Sequence, residues 1–174
     1  MSTKVDFLKV EVFPHDPNWR SNFESESKLI ALALRENVVA IHHIGSTAIP
    51  QIHAKPIIDM LVEVKDILKI DTHSSEIEAL GYQAMGEFGI PGRRYFRKGR
   101  TYHIHSFEVG SPQIERHLAF RDYMITHSEA AQEYSELKRK LAQKYPDNIH
   151  AYMDGKDGFI KEIDMKAAKW RASH

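Results

Sequence analysis

The sequence predicts a mixed α/β (α+β) fold, in which helices cover a mixed sheet and a helical lobe follows at the C-terminal end. Three observations support this class. The 174 residues are 42% hydrophobic and 28% charged, which is ordinary for one globular domain spanning residues 1–174. Two strand-like stretches lie between residues 38 and 64. Beyond Pro112 the chain is helical in pattern almost to its end.

The first half of the chain alternates between helix and strand. Residues 18–37 carry apolar side chains at helical spacing, and the β-branched residues 38–44 predict a buried strand. Residues 56–64 predict a second strand with one fully apolar face and one mixed face, and Asp59 lies on the mixed face. Residues 66–80 then predict a helix that stops at a glycine.

Strands and then helices make up the second half. Residues 82–90, 93–99 and 101–109 predict strands that are separated by glycine-containing breaks. Ser111 is predicted to cap a long helical region that has Pro112 in its first position, and one proline break divides that region near residue 146.

Composition excludes several classes of site. The chain has no cysteine, which rules out a disulfide framework, a zinc–thiolate site, an iron–sulfur cluster and a thiol nucleophile. No apolar run approaches the ~18 residues that a membrane helix needs. The first ten residues lack the apolar core of a secretion signal. We therefore expect a cytoplasmic protein with no membrane partner.

Charge is balanced overall but uneven along the chain. Residues 1–92 carry 8 basic and 13 acidic side chains, whereas residues 93–121 carry 7 and 2. Zero net charge argues against an extended nucleic-acid surface. The local basic segment instead suits a small anion, and the alternative is a solvated cationic loop.

A small-residue turn follows the first strand and is a candidate phosphate site. Gly45, Ser46 and Thr47 would let backbone N–H groups approach an anion, and the two hydroxyls add donors. The spacing is not that of a Walker loop, and a simple turn is the alternative.

Asp59 is the central candidate for chemistry. A carboxylate among apolar strand residues is costly to bury unless a divalent cation or a basic group pairs with it. His103 and His105 should project about 6.6 Å apart on one side of a strand. If that strand neighbours Asp59, the three side chains could bind a divalent metal ion. Two hydrogen-bonded strand histidines are the alternative.

Twelve residues separate Gly45-Ser46 from Asp59, and this spacing resembles the signature of the DNA polymerase β-like nucleotidyltransferase superfamily. The segments HHIGSTAIP, AKPIIDMLVEV, GRRYFRKG, HIHSFEVGS, RHLAFRDYMITH and AYMDGKDGFI resemble the GrpB family, also called UPF0157, over nearly the whole chain. The resemblance implies a nucleotidyltransferase-like fold, a nucleotide or other phosphorylated small molecule as partner, and nucleotidyl transfer as the candidate reaction. The candidate cofactor is a divalent metal ion: the resemblance implies Mg, with Asp59 as metal ligand or base, and the two histidines would suit Mn or Zn instead.

One departure from the superfamily signature concerns the second metal carboxylate. The residue two positions after Asp59 is Leu61, and Glu63 would lie about 13 Å along the strand, too far to replace it. Two alternative functions therefore stay open. One is a noncatalytic nucleotide-binding or accessory module, since similar domains are fused to dephospho-CoA kinase in some bacteria, with a role in coenzyme A handling or protein folding. The other is a metal-dependent hydrolase built on the Asp/His cluster.

Several basic residues are candidates for holding phosphate. Arginine suits bidentate phosphate recognition, but only one of two adjacent arginines can face a given side of a regular strand. A pair four residues apart on a helix shares one face. The candidates from these arguments are Lys55, Arg93, Arg94, His117, Arg121 and Lys156.

Overall fold

The centre of the fold is a five-stranded sheet, described here in a computed structural model that covers residues 9–174. Its strands are β1 (Val38–Ile44), β2 (Ile58–Val64), β3 (Gln83–Ala84), β4 (Arg94–Lys98) and β5 (Tyr102–Glu108). Their spatial order is β1-β2-β5-β4-β3. β2 and β5 run parallel, while the other neighbouring pairs are antiparallel. The two strands predicted to carry Asp59 and the histidines are therefore direct neighbours.

The described residues also form six α-helices. These are α1 (Asn18–Leu34), α2 (Ile67–Thr72), α3 (Ser74–Ala79), α4 (Pro112–Thr126), α5 (Ser128–Lys144) and α6 (Ile149–Ala172). Short 3₁₀ turns at Arg35–Asn37 and Ser46–Ala48 precede and follow β1. The mixed α/β class and the helical C-terminal region predicted from the sequence are confirmed.

Alternation along β2 determines what packs on each side of the sheet. Ile58, Met60, Val62 and Val64 are buried in one apolar cluster with side chains of α1, α2 and α3. On the opposite face Leu61 packs with Ile114 of α4. Fully burying an aliphatic side chain of this size contributes roughly 1.5–3 kcal/mol, so this pattern fixes the register of β2.

The C-terminal helices hold the long connection between β1 and β2. Ile49 and Ile52 of that connection are fully buried against side chains of α4, α5 and α6. The turn that follows Gly45 is thereby pinned between the sheet and the helices. The mixed face of β2 is left partly open between these two layers, and Asp59 lies there.

Local signals at the start of α4 are confirmed. The Ser111 side chain accepts a hydrogen bond from the backbone N–H of Gln113, and Pro112 occupies the first turn, where its missing N–H costs nothing. The predicted break near residue 146 separates α5 from α6. A further break at His127, which separates α4 from α5, was not predicted.

Two predicted elements were wrong in extent. The helix expected over residues 66–80 is two short helices that meet at His73. The strand expected over residues 82–90 pairs with β4 only at Gln83–Ala84. Glycines with positive φ at 86, 89 and 92 direct the rest of that segment into turns, because few other residues adopt this conformation.

No helix formed by residues 9–174 is both long and apolar enough to cross a bilayer. Most of the segment on which the expectation about a secretion signal rests, residues 1–8, lies outside the described part of the chain.

Candidate active site

Asp59 meets both predicted histidines. Register across the sheet places Ile44, Asp59 and His103 side by side on β1, β2 and β5. Asp59 Oδ1 lies 3.0 Å from His105 Nε2 and 3.4 Å from His103 Nδ1. The Asp59 side chain is 27% exposed, so this cluster is reachable from solvent. Parallel pairing of two strands that are distant in sequence produces the juxtaposition.

The histidines keep Asp59 ionised. Burial alone would raise the pKa of this carboxyl group. Hydrogen bonds from His103 and His105 outweigh burial and bring the pKa of Asp59 well below its usual range. A carboxylate held in its charged form accepts hydrogen bonds and binds cations across the physiological pH range, although its low pKa makes it a weak base.

Arg93 determines which nitrogen of His105 carries the proton. Its Nη1 lies 3.2 Å from His105 Nδ1, and its other donors bind the backbone carbonyls of Glu87 and Phe88. An arginine side chain can only donate, so His105 Nδ1 is the acceptor. The neutral His105 ring then has its proton on Nε2 and donates it to Asp59.

The same cluster can hold a metal ion. One ligand atom each from Asp59, His103 and His105 lie within 4.8 Å of one another. Two imidazoles and one carboxylate suit a transition metal such as Mn or Zn better than Mg. A metal at His105 Nε2 would displace the proton that faces Asp59, and the bond from Arg93 opposes transfer of that proton to Nδ1. Asp59 and His103 are the two ligands free of this conflict.

Gly45 brings the hydroxyl turn against Asp59. Its φ is +76°, and a Cβ atom at this position would lie 2.7 Å from Asp59 Oδ2. Only glycine both adopts this conformation and leaves room for the carboxylate. The following Ser46 and Thr47 line the same cavity as Asp59. Predicted proximity of this turn to Asp59 is therefore observed.

Thr47 is buried and ties the turn to its surroundings. Its hydroxyl donates to the carbonyl of Ile57 at 3.0 Å and lies 2.9 Å from His43 Nε2. Because the Thr47 hydrogen is used, His43 Nε2 is the donor in the second contact. The Ser46 side chain lies close enough to Tyr134 of α5 to lower the pKa of that tyrosine, although burial raises it by more. The hydrogen bonds of Thr47 hold the turn rigid.

Three lysines surround the cavity that contains Asp59. Lys55 precedes β2, Lys138 lies on α5 and Lys156 lies on α6. The cavity has a volume of about 320 Å³, within the range of small-ligand sites. Among the ion pairs found in residues 9–174, none joins one of these lysines to a carboxylate within 4.0 Å. The cavity therefore has more positive than negative side chains.

The amine groups of the three lysines lie against aromatic rings instead of acids. Lys55 Nζ and Lys156 Nζ are 5.3 and 4.9 Å from the centre of the Tyr152 ring. Lys138 Nζ is 4.5 Å from the centre of the Tyr134 ring. Burial, followed by repulsion from Lys55, lowers the pKa of Lys156 to about 8. Burial likewise lowers the pKa of Lys55.

Neither Arg94 nor Arg121 lines the cavity that contains Asp59. Arg94 pairs with both carboxylate oxygens of Asp71, at 2.8 and 3.3 Å. Arg121 lines a separate cavity of about 510 Å³ beside α1 and β1, and Thr47 is the residue that the two cavities share. Arg121 also donates to the carbonyl of His43 at 3.2 Å.

His117 lies behind the site. Its ring centre is 6.2 Å from that of His105, and it does not line the Asp59 cavity. Burial, then the charge of Arg116, lowers the pKa of His117 to about 3. The ring is therefore neutral near pH 7 and supports His105.

No second metal ligand comes from Leu61 or Glu63, the two residues that follow Asp59 on the same face of β2. Leu61 is fully buried with Ile44 and Phe107, so apolar packing occupies its place on the strand. Glu63 Oε1 forms a 2.7 Å hydrogen bond with His42 Nε2. The site thus does not fit a pair of catalytic magnesium ions, which sit only ~3.5–4 Å apart on shared carboxylates.

Sequence reasoning missed Lys138. A signal was present, since Lys138 lies at helical spacing from Ala131, Tyr134 and Ala142, all of which are buried on one face of α5. A lysine on the apolar face of an amphipathic helix is unusual, because lysine is almost never fully buried without a partner. Tyr152, which also lines the cavity, was missed as well.

Fold and site together define a mixed α/β domain with a cationic pocket around one ionised aspartate. Residues 9–166 match the family model of the GrpB protein, and the chain belongs to this family. The UPF0157 protein YqkA of Bacillus subtilis is 46% identical over 166 residues, which cover 94% of this chain and 48% of YqkA. The crystal structure of conserved protein GrpB from Enterococcus faecalis is 46% identical with a TM-score of 0.90, and the match covers 92% of this chain and 99% of that one.

Two more distant similarities concern larger proteins. A dephospho-CoA kinase of Mycolicibacterium paratuberculosis is 23% identical over 192 residues, which cover 94% of this chain and 47% of the kinase. Cid1 in complex with the UTP analogue UMPNPP is 12% identical with a TM-score of 0.42, over 78% of this chain and 42% of Cid1. The second similarity concerns the fold alone. The chain thus spans about half the length of YqkA and of the kinase.

Proposed function

We propose that this GrpB-family protein binds a nucleotide or another phosphorylated small molecule in the Asp59 cavity. The observation that carries the proposal is the convergence of Lys55, Lys138 and Lys156 on one cavity with a single carboxylate. Buried amines without acidic partners are costly to keep charged, and an anionic ligand removes that cost. The Ser46-Thr47 turn adds hydroxyl donors at the same place.

Within this proposal each side chain has a role. The turn and the lysines hold phosphate, and Asp59 holds a cation or accepts a hydrogen bond that orients an acceptor hydroxyl or amine. Arg93 orients His105 and so positions Asp59. Any nucleotidyl transfer by this site would proceed without two carboxylate-bridged magnesium ions, since Leu61 occupies the second position.

Calorimetric titration with ATP, CTP, GTP and UTP, with and without Mg²⁺, Mn²⁺ or Zn²⁺, tests the proposal. We expect Lys156→Met to weaken binding roughly tenfold or more, because a hydrogen bond to a charged group contributes about 1.5–3 kcal/mol. Lys169→Met, an exposed lysine on the same helix, is the matched control. Failure of every nucleotide to bind the wild type would contradict the nucleotide proposal, and a screen of other phosphorylated metabolites would test the rest.

Turnover separates an enzyme from an accessory module. Chromatography of the same mixtures with small acceptors would detect pyrophosphate release. Binding that is lost in Asp59→Ala, with no nucleotide consumed by the wild type, would favour the accessory module. The similarity to a dephospho-CoA kinase supports including dephospho-CoA and coenzyme A among the ligands.

A metal-dependent hydrolase is the second candidate function, and the Asp59, His103 and His105 cluster is the observation that favours it. Metal analysis of the purified protein, before and after reconstitution with Mn²⁺ and Zn²⁺, addresses it. Less than about a tenth of an equivalent of bound metal would eliminate this candidate and would not affect the phosphate proposal.

A further inference from the structure

Lys138 is a buried amine with no hydrogen-bond partner among the described residues. The residue is 1% exposed, although lysine is almost never fully buried unless it is paired. The side chain nevertheless lines the cavity that contains Asp59.

The groups that face Lys138 are mostly cationic or neutral. Lys156 on α6 and Lys55 before β2 lie close enough to Lys138 to repel its charged form. Charged Lys138 would in turn repel a protonated His53. Tyr134 lies one turn earlier on the same helix, while Tyr152 lines the cavity from α6. The one carboxylate of the cavity, Asp59, is already engaged by two histidines.

These surroundings determine the charge of Lys138 in the free protein. Burial, then repulsion from Lys156 and from Lys55, lowers the pKa of Lys138 from 10.5 to about 6. At pH 7.5 its side chain is therefore a neutral amine in the free protein. A neutral amine binds phosphate weakly, whereas an ammonium group is a strong charge-assisted donor.

We propose that Lys138 takes up a proton when a polyphosphate binds between it, Lys55 and Lys156, so that ligand capture is coupled to protonation of this one amine. The proposal rests on the proposed function and adds the ligand chemistry and the coupling. The proton passes from solvent to Nζ, and no other covalent bond changes. Three lysines from three separate elements suit a chain of linked phosphates better than a single phosphate group.

Calorimetry in buffers of different ionisation enthalpy measures this proton directly. At pH 7.5, where ATP is almost fully ionised, binding of ATP to the wild type should take up about one proton. In Lys138→Met the uptake should fall below about one third of a proton, the part that Lys156 with its pKa of about 8 contributes. Lys140→Met, an exposed lysine on the same helix, should behave as the wild type.

Nuclear magnetic resonance of ¹³Cε-labelled lysine gives a second measurement, in which a variant is needed only to assign the Lys138 signal. The Lys138 signal should move from the neutral to the charged position when tripolyphosphate is added at pH 7.5. ATP binding without proton uptake, or with equal uptake in Lys138→Met, would overturn the inference and leave the phosphate site intact. Absence of any binding by ATP and tripolyphosphate would overturn the inference and would count against nucleotide as the ligand of the proposed function.

Discussion

Arg93 Nη1 donates to His105 Nδ1 over 3.2 Å, and His105 Nε2 donates in turn to Asp59 Oδ1 over 3.0 Å. Because arginine cannot accept a hydrogen bond, Arg93 donates to His105 and His105 donates to Asp59. A buried arginine at the start of a hairpin thus sets the tautomer of the histidine that supports the central carboxylate. Metal binding at His105 Nε2 competes with this arrangement.

The first prediction concerns that tautomer. In the wild type, ¹⁵N chemical shifts of His105 should report a protonated Nε2 and an unprotonated Nδ1. Arg93→Met frees Nδ1 to carry the proton, and we expect the variant to bind Mn²⁺ or Zn²⁺ at least severalfold more tightly, measured by calorimetry.

A control separates this effect from loosening of the hairpin, since Arg93 also donates to two backbone carbonyls there. Arg94→Met removes a neighbouring arginine that binds Asp71 instead, and its metal affinity should equal that of the wild type. An Nδ1-protonated ring in the wild type would contradict the assignment.

The second prediction concerns Gly45→Ala. Left-handed backbone costs a non-glycine residue about 1–2 kcal/mol, and the new Cβ would also press on Asp59 Oδ2. Urea denaturation should show a loss larger than that of Gly92→Ala. Gly92 has a similar φ of +81° and nothing within 4 Å of the added Cβ. Equal losses in the two variants would show that the carboxylate simply moves aside.

The third prediction concerns restoring a second carboxylate. Leu61→Asp should destabilise the protein by more than Leu61→Ala, whose cavity cost is about 2–5 kcal/mol, because the new carboxylate would be buried among apolar side chains. Denaturation with and without Mg²⁺ measures this. A stable Leu61→Asp protein whose midpoint rises with Mg²⁺ would show that this position still accepts a metal ligand.

The fourth prediction is that Lys138→Met stabilises the free protein. The pKa of Lys138 is lower in the folded chain, so between pH 10.5 and about 6 the unfolded chain binds a proton that the folded chain does not. Stability of the wild type therefore falls as pH decreases through this window, by up to several kcal/mol. The variant should exceed the wild type most near pH 6 and least near pH 10, measured by denaturation. A variant less stable than the wild type at pH 6 would show that the amine has a structural partner.

The fifth prediction concerns acid stability. His117 has a pKa of about 3 in the folded chain against an ordinary value of 6.5, so its contribution is fully present above pH 6.5 and is lost as pH falls toward 3. His117→Phe should reduce the slope of unfolding free energy against pH by up to about 1.4 kcal/mol per pH unit in this range. His150→Phe, which alters an exposed histidine, should leave the slope unchanged.

Local sequence patterns account for most of the structural features that could be predicted from the sequence. Period-two alternation in residues 58–64 reflects burial of one strand face, and Ser111-Pro112 marks a helix start through donors that act within one turn. Residues 85–92 show the limit of such reasoning. Their apolar content favoured a strand, but glycines at 86, 89 and 92 with positive φ dominate the local backbone.

The sequence by itself determined the family, the alternation that exposes Asp59 on the mixed face of its strand, and the absence of a carboxylate two positions later. These properties depend on residue identity and on short-range spacing. Only the tertiary structure decided that β2 lies parallel to β5, that Arg93 rather than Arg94 reaches the site, and that Lys138 enters the cavity from a distant helix. Those outcomes depend on packing between elements far apart in the chain. The arrangement of these elements determines both the cost of burying a charge and the gain from burying apolar surface.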